Sequence, residues 1–361
     1  MNSVNSDLRD RILLRAHYVS RFENTQKQSL LETLQLAHSE IVTKIAATGG
    51  EWTKAWLNEM LKEVDGIYAT AVKSMGADLT GNLKDLAEIE AEWAAKTLDK
   101  GIPLNVSIST PAPTQVWSAV ITSPVDRGHL LSELLDGFEA STVDRIRTAI
   151  RQGVVEGETS DQMIRRIRGT TVKPARWIAD ENGKRVLRPG VYTGGVMDIS
   201  TRAAQNLVST AVMHVSNVAR NATFRDNSDI LNGVQFVATL DTLTCEECAA
   251  LDGTTYENPE DAPQPPLHLG PCRCTLVPIV KSWKELGFDM EEVPAGTRAS
   301  MDGQVADSHT YGSWLKTQPA SVQDEALGPG RAALFRDGMS IDRFVKDGRS
   351  LTLDELRAPS E

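Results

Sequence analysis

Two stretches of the sequence decide the fold: VQFVATLDTLTCEECAALDG at residues 234–253 and PPLHLGPCRCTLVPIV at residues 265–280. Each contains a run of apolar and β-branched residues, which predicts a strand over Val234–Ala238 and a second strand over Thr275–Val280. All 4 cysteines of the chain lie between these strands, together with one histidine. We therefore expect a small β element around a Cys/His loop at residues 241–280.

The spacing of these residues is typical of a zinc site. Cys245 and Cys248 form a CxxC turn that brings two thiolates close enough to share one tetrahedral ion, and His268 and Cys272 can supply two more ligands. Cys274 is the alternative ligand, because we expect it to point away from Cys272. Four protein ligands leave no position for water, so the expected zinc is structural. The alternatives are ordinary buried thiols, or a disulfide between Cys248 and Cys272 under oxidising conditions.

The first hundred residues have the pattern of helices. Apolar residues recur at spacings of three and four, as in Leu30, Leu34, Ala37, Ile41 and Ile45. Glycines at positions 49, 50, 76 and 101 are expected to end helices. These helices carry Trp52, Trp56 and Trp93, which are candidates for the core or for a subunit-contact surface that docks on an oligomeric ring.

Helical spacing returns after a proline-rich stretch at 102–124, which we expect to be an extended connection. A short helix is expected to begin at Thr159 or Ser160 as its N-cap residue. A long helix follows from Asp198 to Phe224, with apolar residues along one side. Short helices are expected around Tyr311–Thr317, Ser321–Phe335 and Leu353–Arg357.

A β-hairpin arm is predicted at about 172–192, between these helices. Trp177-Ile178-Ala179 and Val186-Leu187 flank Asn182-Gly183, a pair typical of a type I′ turn. Eight basic residues on or near the arm are candidates for contact with DNA phosphates: Arg165, Arg166, Arg168, Lys173, Arg176, Lys184, Arg185 and Arg188. The favoured alternative is a solvated face or a contact with an acidic protein, because the chain as a whole carries a net charge of −11.

Five residues of the loop, together with its cysteines and histidine, carry a family resemblance: Asp241, Asp252, Gly253, Pro266 and Arg273. The runs Val237-Ala-Thr-Leu-Asp241, Cys248-Ala-Ala-Leu-Asp252-Gly253, Pro265-Pro-Leu-His268 and Cys272-Arg273 resemble the signature of the phage Mu F-like minor head proteins, also called phage head morphogenesis proteins. Segments downstream, such as Tyr311-Gly-Ser-Trp-Leu-Lys316, are similar to the tail of some members. The resemblance covers roughly residues 125–358.

The resemblance and the residue patterns together predict a mainly helical α+β chain. We expect a helical N-terminal region at 1–101, the proline-rich connection at 102–124, a Mu F-like head morphogenesis domain at 125–293, and a tail with short helices at 294–361. The longest apolar stretches are too short to cross a bilayer, so we expect no membrane partner.

The resemblance implies a minor capsid protein of a tailed phage or prophage, which acts in head assembly and in DNA packaging or delivery. It implies several copies inside the head near the portal protein, contacts with other head proteins and with packaged DNA, and residence in the host cytoplasm during assembly. We expect no catalysis and no cofactor besides structural zinc. The alternative is a zinc-dependent nucleic-acid-processing enzyme, which would need an open metal position and a separate general base.

Overall fold

The structure is a computed structural model, and it describes residues 3–48, 52–102, 106–125, 128–173, 176–179, 185–188, 191–270, 272–289, 291 and 296–358. The expected mainly helical α+β fold is confirmed. Within these ranges, no helix combines the length and the apolar character needed to cross a lipid bilayer.

The α-helices are α1 (Ser3–Ala46), α2 (Lys54–Gly101), α3 (Pro113–Thr122), α4 (Leu131–Val155), α5 (Ser160–Arg168), α6 (Val196–Asp226), α7 (Glu246–Leu251), α8 (Tyr311–Lys316), α9 (Ala320–Arg336) and α10 (Leu353–Arg357). The strands are β1 (Thr170–Lys173), β2 (Arg176–Ala179), β3 (Arg185–Arg188), β4 (Val191–Thr193), β5 (Leu231–Val237), β6 (Thr255–Tyr256), β7 (Thr275–Val280), β8 (Thr297–Ser300), β9 (Gly303–Ala306), β10 (Val345–Lys346) and β11 (Arg349–Ser350). A short 3₁₀-helix spans Ile341–Phe344.

Contacts group the chain into two compact units. The first unit comprises Met1–Arg21, Leu83–Leu130 and Thr210–Glu361, and the second comprises Phe22–Asn82 and Leu131–Ser209. Helices α1, α2 and α6 contribute residues to both units. The domain boundaries expected after residues 101, 124 and 293 stay a prediction.

The first unit contains a three-stranded antiparallel sheet in the order β6-β5-β7. Phe236 of β5 lies opposite Leu276 of β7, and both side chains are buried in one apolar core. The two strands predicted from the sequence are therefore confirmed. Gly233 lies where β6 approaches β5: its φ is +98°, and a Cβ there would meet the carbonyl oxygen of Tyr256 at 1.9 Å, so only glycine fits.

The long helix predicted from the sequence is confirmed as α6. Its burial differs from the expectation that only one apolar side of the helix is buried. Every residue from 210 to 221 is buried, polar ones included. Asn217 shows why this is tolerated: its amide donates to the carbonyl oxygen of Cys274 (3.2 Å) and accepts from the hydroxyl of Thr275 (2.8 Å). His214 is a packed histidine, 3.0 Å from the carbonyl oxygen of Val120.

The C-terminal segment packs against the Cys/His loop. Its short helices lie at α8, α9 and α10, in agreement with the sequence pattern. Trp314 and Phe335 share an apolar cluster with Leu240 and Ala249, which belong to the stretch around the loop. The burial of these large side chains attaches residues 311–356 to the loop.

In the second unit, a capping box begins α5 at the residue that the sequence indicates. The Thr159 hydroxyl accepts from the Gln162 backbone amide (3.3 Å), and the Gln162 side chain accepts from the Thr159 amide (2.8 Å). Arg147 of α4 donates to both carboxylate oxygens of Asp65 in α2, at 2.9 and 2.8 Å. This ion pair joins the two helices.

The predicted hairpin arm is confirmed by its strand pairing. Trp177 of β2 lies opposite Leu187 of β3, and the strands β1 and β4 pair antiparallel at the base of the arm. The expected turn at Asn182-Gly183 lies outside the described residues. A ribbon of paired strands thus separates α5 from α6 in the chain.

Two expectations for the helices were wrong. Helix α2 continues through Gly76, where an end was expected: a Cβ at this position would meet nothing within 4 Å, and a glycine costs a long helix only about 1 kcal/mol. Part of the proline-rich stretch is helical as α3. Pro113 occupies its first position, where proline is tolerated, and Val116 and Val120 are buried.

A buried histidine gives the second unit a pH-dependent stability. His38 of α1 is 8 % exposed, lies 5.9 Å from the ring of Tyr68, and its Nε2 has no hydrogen-bond partner among the described residues. Burial lowers the pKa of His38 to about 4. Between this pKa and the ordinary value near 6.5, the unfolded chain binds a proton that the folded chain does not, so stability falls as the pH is lowered.

We expect His38 to account for a loss of about 2 kcal/mol in the free energy of unfolding between about pH 7 and pH 5. The variant His38→Gln should lose this part of the pH dependence, measured by denaturant unfolding at both pH values. His17→Gln, on the exposed side of the same helix, serves as the matched control and should keep the wild-type pH dependence. Equal pH dependence in His38→Gln and the wild type would contradict the assignment.

Candidate metal centre in the Cys/His loop

Helix α7 positions the first two cysteines. Cys245 is the N-cap residue of α7, and its sulfur accepts a hydrogen bond from the Cys248 backbone amide at 3.4 Å. The sulfur of an N-cap cysteine takes the place of the usual hydroxyl or carboxylate oxygen. Both CxxC sulfurs therefore belong to the first turn of the same helix.

The backbone that leads into β7 positions the other two cysteines. The amide of Cys272 donates to the carbonyl oxygen of Gly270 (2.9 Å), and the amide of Gly270 donates to the Thr210 hydroxyl (2.9 Å). The carbonyl oxygen of Cys274 accepts from Asn217, as described above. Helix α6 thus holds this part of the loop at two points.

Three of the sulfurs form a compact buried group, which we call the thiol triad: Cys248, Cys272 and Cys274. Their Sγ atoms all lie within 4.8 Å of one another, and the residues are 1 %, 7 % and 3 % exposed. The Cys248 and Cys272 sulfurs are 3.9 Å apart. A tetrahedral zinc with Zn–S bonds of about 2.3 Å separates its sulfurs by about 3.8 Å, whereas a disulfide needs about 2.05 Å. All four cysteines are free thiols.

A second group lies beside the triad and is half-buried. It consists of Cys245, Glu247 and His268, whose ligand atoms also lie within 4.8 Å of one another. The Nδ1 atom of His268 lies 3.4 Å from the carbonyl oxygen of Leu269. Together the two groups contain every metal-ligand candidate that the sequence indicates.

Hydrogen bonds between the side chains set the protonation of the half-buried group. The hydrogen bond with the Cys248 side chain, helped by His268, lowers the pKa of Cys245 to about 5. The contact with the Cys245 sulfur raises the pKa of His268 to about 9.

The expected direction of Cys274 was wrong. Its sulfur lies within 4.8 Å of the Cys272 sulfur, on the same side of the chain. Residues two apart in an extended segment share a face, because successive side chains alternate. The two groups can hold a metal, and the ligand set predicted from the sequence stays a prediction.

The signature residue Asp252 is the most heavily engaged carboxylate of the loop. It is 7 % exposed and accepts from the backbone amides of Ala238 and Tyr311, each at 2.7 Å. Arg298 of β8 donates to both carboxylate oxygens, at 2.9 and 2.7 Å, and also to the carbonyl oxygens of Ala238 and His309. Asp252 therefore ties the end of α7 to β8 and to the start of α8.

Sequence reasoning missed Arg298 as the partner of Asp252. The two residues are 46 positions apart, and Arg298 carries no local signal beyond lying in the tail that resembles some family members. A buried acidic residue next to glycine could have prompted a search for a distant arginine, since buried charges are paired.

The other signature residues also shape the loop. Arg273 makes a two-point contact with the Asp241 carboxylate (2.9 and 2.5 Å), and the Tyr311 hydroxyl donates to the carbonyl oxygen of Asp241 (2.9 Å). Gly253 has a φ of +86°, and its amide donates to the carbonyl oxygen of Phe236. Pro266 follows Pro265 through a cis peptide bond. These contacts brace the loop against β5 and α8.

The basic residues predicted on the arm are partly occupied within the protein. Arg166 forms ion pairs with Glu156 and Glu158, and the guanidinium of Arg168 lies 4.6 Å from the centre of the Tyr192 ring. Of the other basic residues, Arg165, Lys173 and Arg185 are exposed. Arg176 of β2 lies opposite Arg188 of β3 in the strand register. Lys184 lies outside the described residues. Contact of this arm with DNA stays a prediction.

The tryptophans of the N-terminal helices make contacts inside the protein. The Trp52 ring lies 4.6 Å from the Trp56 ring, and its indole nitrogen donates to the carbonyl oxygen of Glu158. The Arg15 guanidinium lies 5.1 Å from the centre of the Trp93 ring. Docking through these helices stays a prediction.

Residues 144–277 match the family described as "Phage Mu protein F like protein". The resemblance noted in the sequence is confirmed over these residues, which run from α4 into β7 and include the hairpin arm, α6 and the Cys/His loop. The matched family is one of structural phage head proteins. Searches among curated proteins and among solved structures gave no match.

Proposed function

We propose that the chain is a minor capsid protein of a tailed phage or prophage that lies inside the head near the portal protein. It acts in head assembly and in DNA packaging or delivery, is present in several copies, and passes through the host cytoplasm during assembly. The observation that carries this proposal is the family match over residues 144–277. The contacts of Asp252, Arg273 and Arg298 support a loop whose polar groups serve its architecture.

A structural zinc in the Cys/His loop is part of the proposal. Thiolates and imidazole are the ligands that zinc prefers, and the triad supplies three sulfurs with separations suited to one ion. Bound zinc would join α7 to the chain before β7, across a loop whose own apolar content is small.

The same features argue against the alternative, a zinc-dependent nuclease. A catalytic zinc keeps one position open for water or substrate, whereas the triad residues are at most 7 % exposed. Asp252, a carboxylate that could serve as general base, already accepts hydrogen bonds from two backbone amides and from Arg298. We therefore propose that the loop catalyses no reaction.

We propose that the N-terminal helices contact the portal protein. Leu36 of α1 is 74 % exposed and borders a groove of about 580 Å³ between α1 and α2, lined by residues such as Gly66 and Thr70. An exposed leucine beside a groove is a feature of helix-docking surfaces. Leu243 is 76 % exposed on the Cys/His loop and offers a matched control.

We expect Leu36→Glu to reduce capture of the portal protein at least about tenfold, because a charge would be buried at the contact. The measurement is affinity capture of the portal protein of the same phage or prophage, from cells that express both proteins, followed by mass spectrometry of mature particles. Leu243→Glu should capture the portal as the wild type does. Absence of the wild-type chain from mature particles would contradict the proposal, and metal-dependent DNA cleavage that is lost in His268→Ala would favour the nuclease.

A further inference from the structure

We propose that the metal of the Cys/His loop is held by four thiolates, those of Cys245, Cys248, Cys272 and Cys274. His268 then lies outside the coordination sphere and supports the Cys245 sulfur by a hydrogen bond. The inference rests on the structural zinc of the proposed function. It differs from the set that the sequence predicts, because Cys274 takes the place of His268.

The thiol triad fixes three of the four positions. Cys248, Cys272 and Cys274 come from two separate segments, yet their sulfurs lie within 4.8 Å of one another in the apolar core beneath the sheet. The separation of 3.9 Å between Cys248 and Cys272 agrees with one edge of a zinc tetrahedron, about 3.8 Å. Cys274 belongs to this group as closely as Cys272 does.

Cys245 is the donor best placed for the fourth position. It shares the first turn of α7 with Cys248, whose backbone amide donates to the Cys245 sulfur. Cys245 therefore adjoins the triad through Cys248, and the two sulfurs belong to one helical turn.

His268 lies beside Cys245. Its ring nitrogen lies within 4.8 Å of the Cys245 sulfur and of the Glu247 carboxylate, and Nδ1 lies 3.4 Å from the carbonyl oxygen of Leu269. These neighbours are all acceptors, an environment that suits an imidazole that donates. An imidazole in this position orients a ligand from outside the first coordination shell, as metal sites commonly require.

The charge of a four-thiolate site supports the same assignment. Zinc with four thiolates carries a formal charge of about −2, which requires hydrogen-bond donors to the sulfurs when the site is buried. The Cys248 amide donates to the Cys245 sulfur, and the His268 ring lies within 4.8 Å of the same sulfur. Solvent would approach the site through Cys245, which is half-buried, whereas the other three cysteines are buried.

X-ray absorption of the reduced, zinc-loaded full chain tests this ligand set without any substitution. We expect one zinc per chain, with a single shell of four sulfurs at about 2.3 Å. His268→Gln should keep the four-sulfur shell and bind zinc about 10- to 100-fold more weakly, as loss of an outer hydrogen bond does. Cys274→Ser should lose one sulfur from the shell.

The possible results separate this inference from the proposal on which it rests. Three sulfurs and one nitrogen at about 2.0–2.1 Å in the wild type would overturn the four-thiolate set and leave structural zinc standing. A four-sulfur shell that persists in Cys274→Ser would also overturn it. Absence of zinc from reduced protein exposed to zinc would overturn both the ligand set and the metal, without bearing on portal capture.

Discussion

Replacing Arg298 with methionine is expected to lower the free energy of unfolding of the first unit by about 3–5 kcal/mol. The guanidinium is 4 % exposed and is bonded to the Asp252 carboxylate, which is itself fully buried. Methionine fills much of the same space but leaves the carboxylate charge without its partner, and an uncompensated buried charge is strongly destabilising. Denaturant unfolding followed by circular dichroism measures the difference.

A matched control lies in the same C-terminal segment. Arg349 also forms an ion pair, with Glu355, but both side chains are well exposed, at 56 % and 40 %. Exposed pairs contribute little because water solvates both charges, so Arg349→Met should leave the unfolding midpoint unchanged within error. Equal free energies of unfolding for Arg298→Met and Arg349→Met would contradict the role of Arg298 as the partner that compensates Asp252.

The second large effect is expected for Glu90→Gln in α2. Glu90 has no exposed surface and lies between two arginines, with Arg15 at 2.9 Å and Arg220 at 3.8 Å. Arg220 is 3 % exposed, and burial lowers the pKa of its guanidinium. The neutral amide removes the negative charge that compensates Arg220, so we expect a loss of about 3–5 kcal/mol in the free energy of unfolding.

Glu92, two residues further along the same helix, provides the comparison. It forms an exposed pair with Lys96, four residues on. Glu92→Gln should therefore unfold as the wild type does. If Glu90→Gln is as stable as Glu92→Gln, then Arg220 does not depend on Glu90.

The sequence predicts the local elements of this protein well, because their signals are local. Thr159 caps α5 as its type and position indicate, and strands β2 and β3 pair on either side of Asn182-Gly183. The strands on either side of the Cys/His loop are confirmed for the same reason: β-branched runs bounded by turn residues need no distant information.

The remaining differences depend on distant contacts. Gly76 does not end α2, because a helix of 48 residues can absorb the cost of one glycine. The partner of Asp252 comes from 46 residues away, and no periodicity predicts it. The grouping of the cysteines depends on how α6 holds Gly270 and Cys274. Residue type and spacing identify the five candidate metal ligands, the four cysteines and His268. Tertiary hydrogen bonds decide how these side chains group in space.

The contacts of Asp252 with Arg298 and Tyr311 also limit where the chain can be truncated. Residues 144–277 end before both of these partners, so a fragment cut to the family match would retain a buried acidic group and lose the groups that neutralise it. Such a fragment would also expose Leu240 and Ala249, which pack in one apolar cluster with Trp314 and Phe335. Biochemical work on the loop therefore needs a polypeptide that continues through α10.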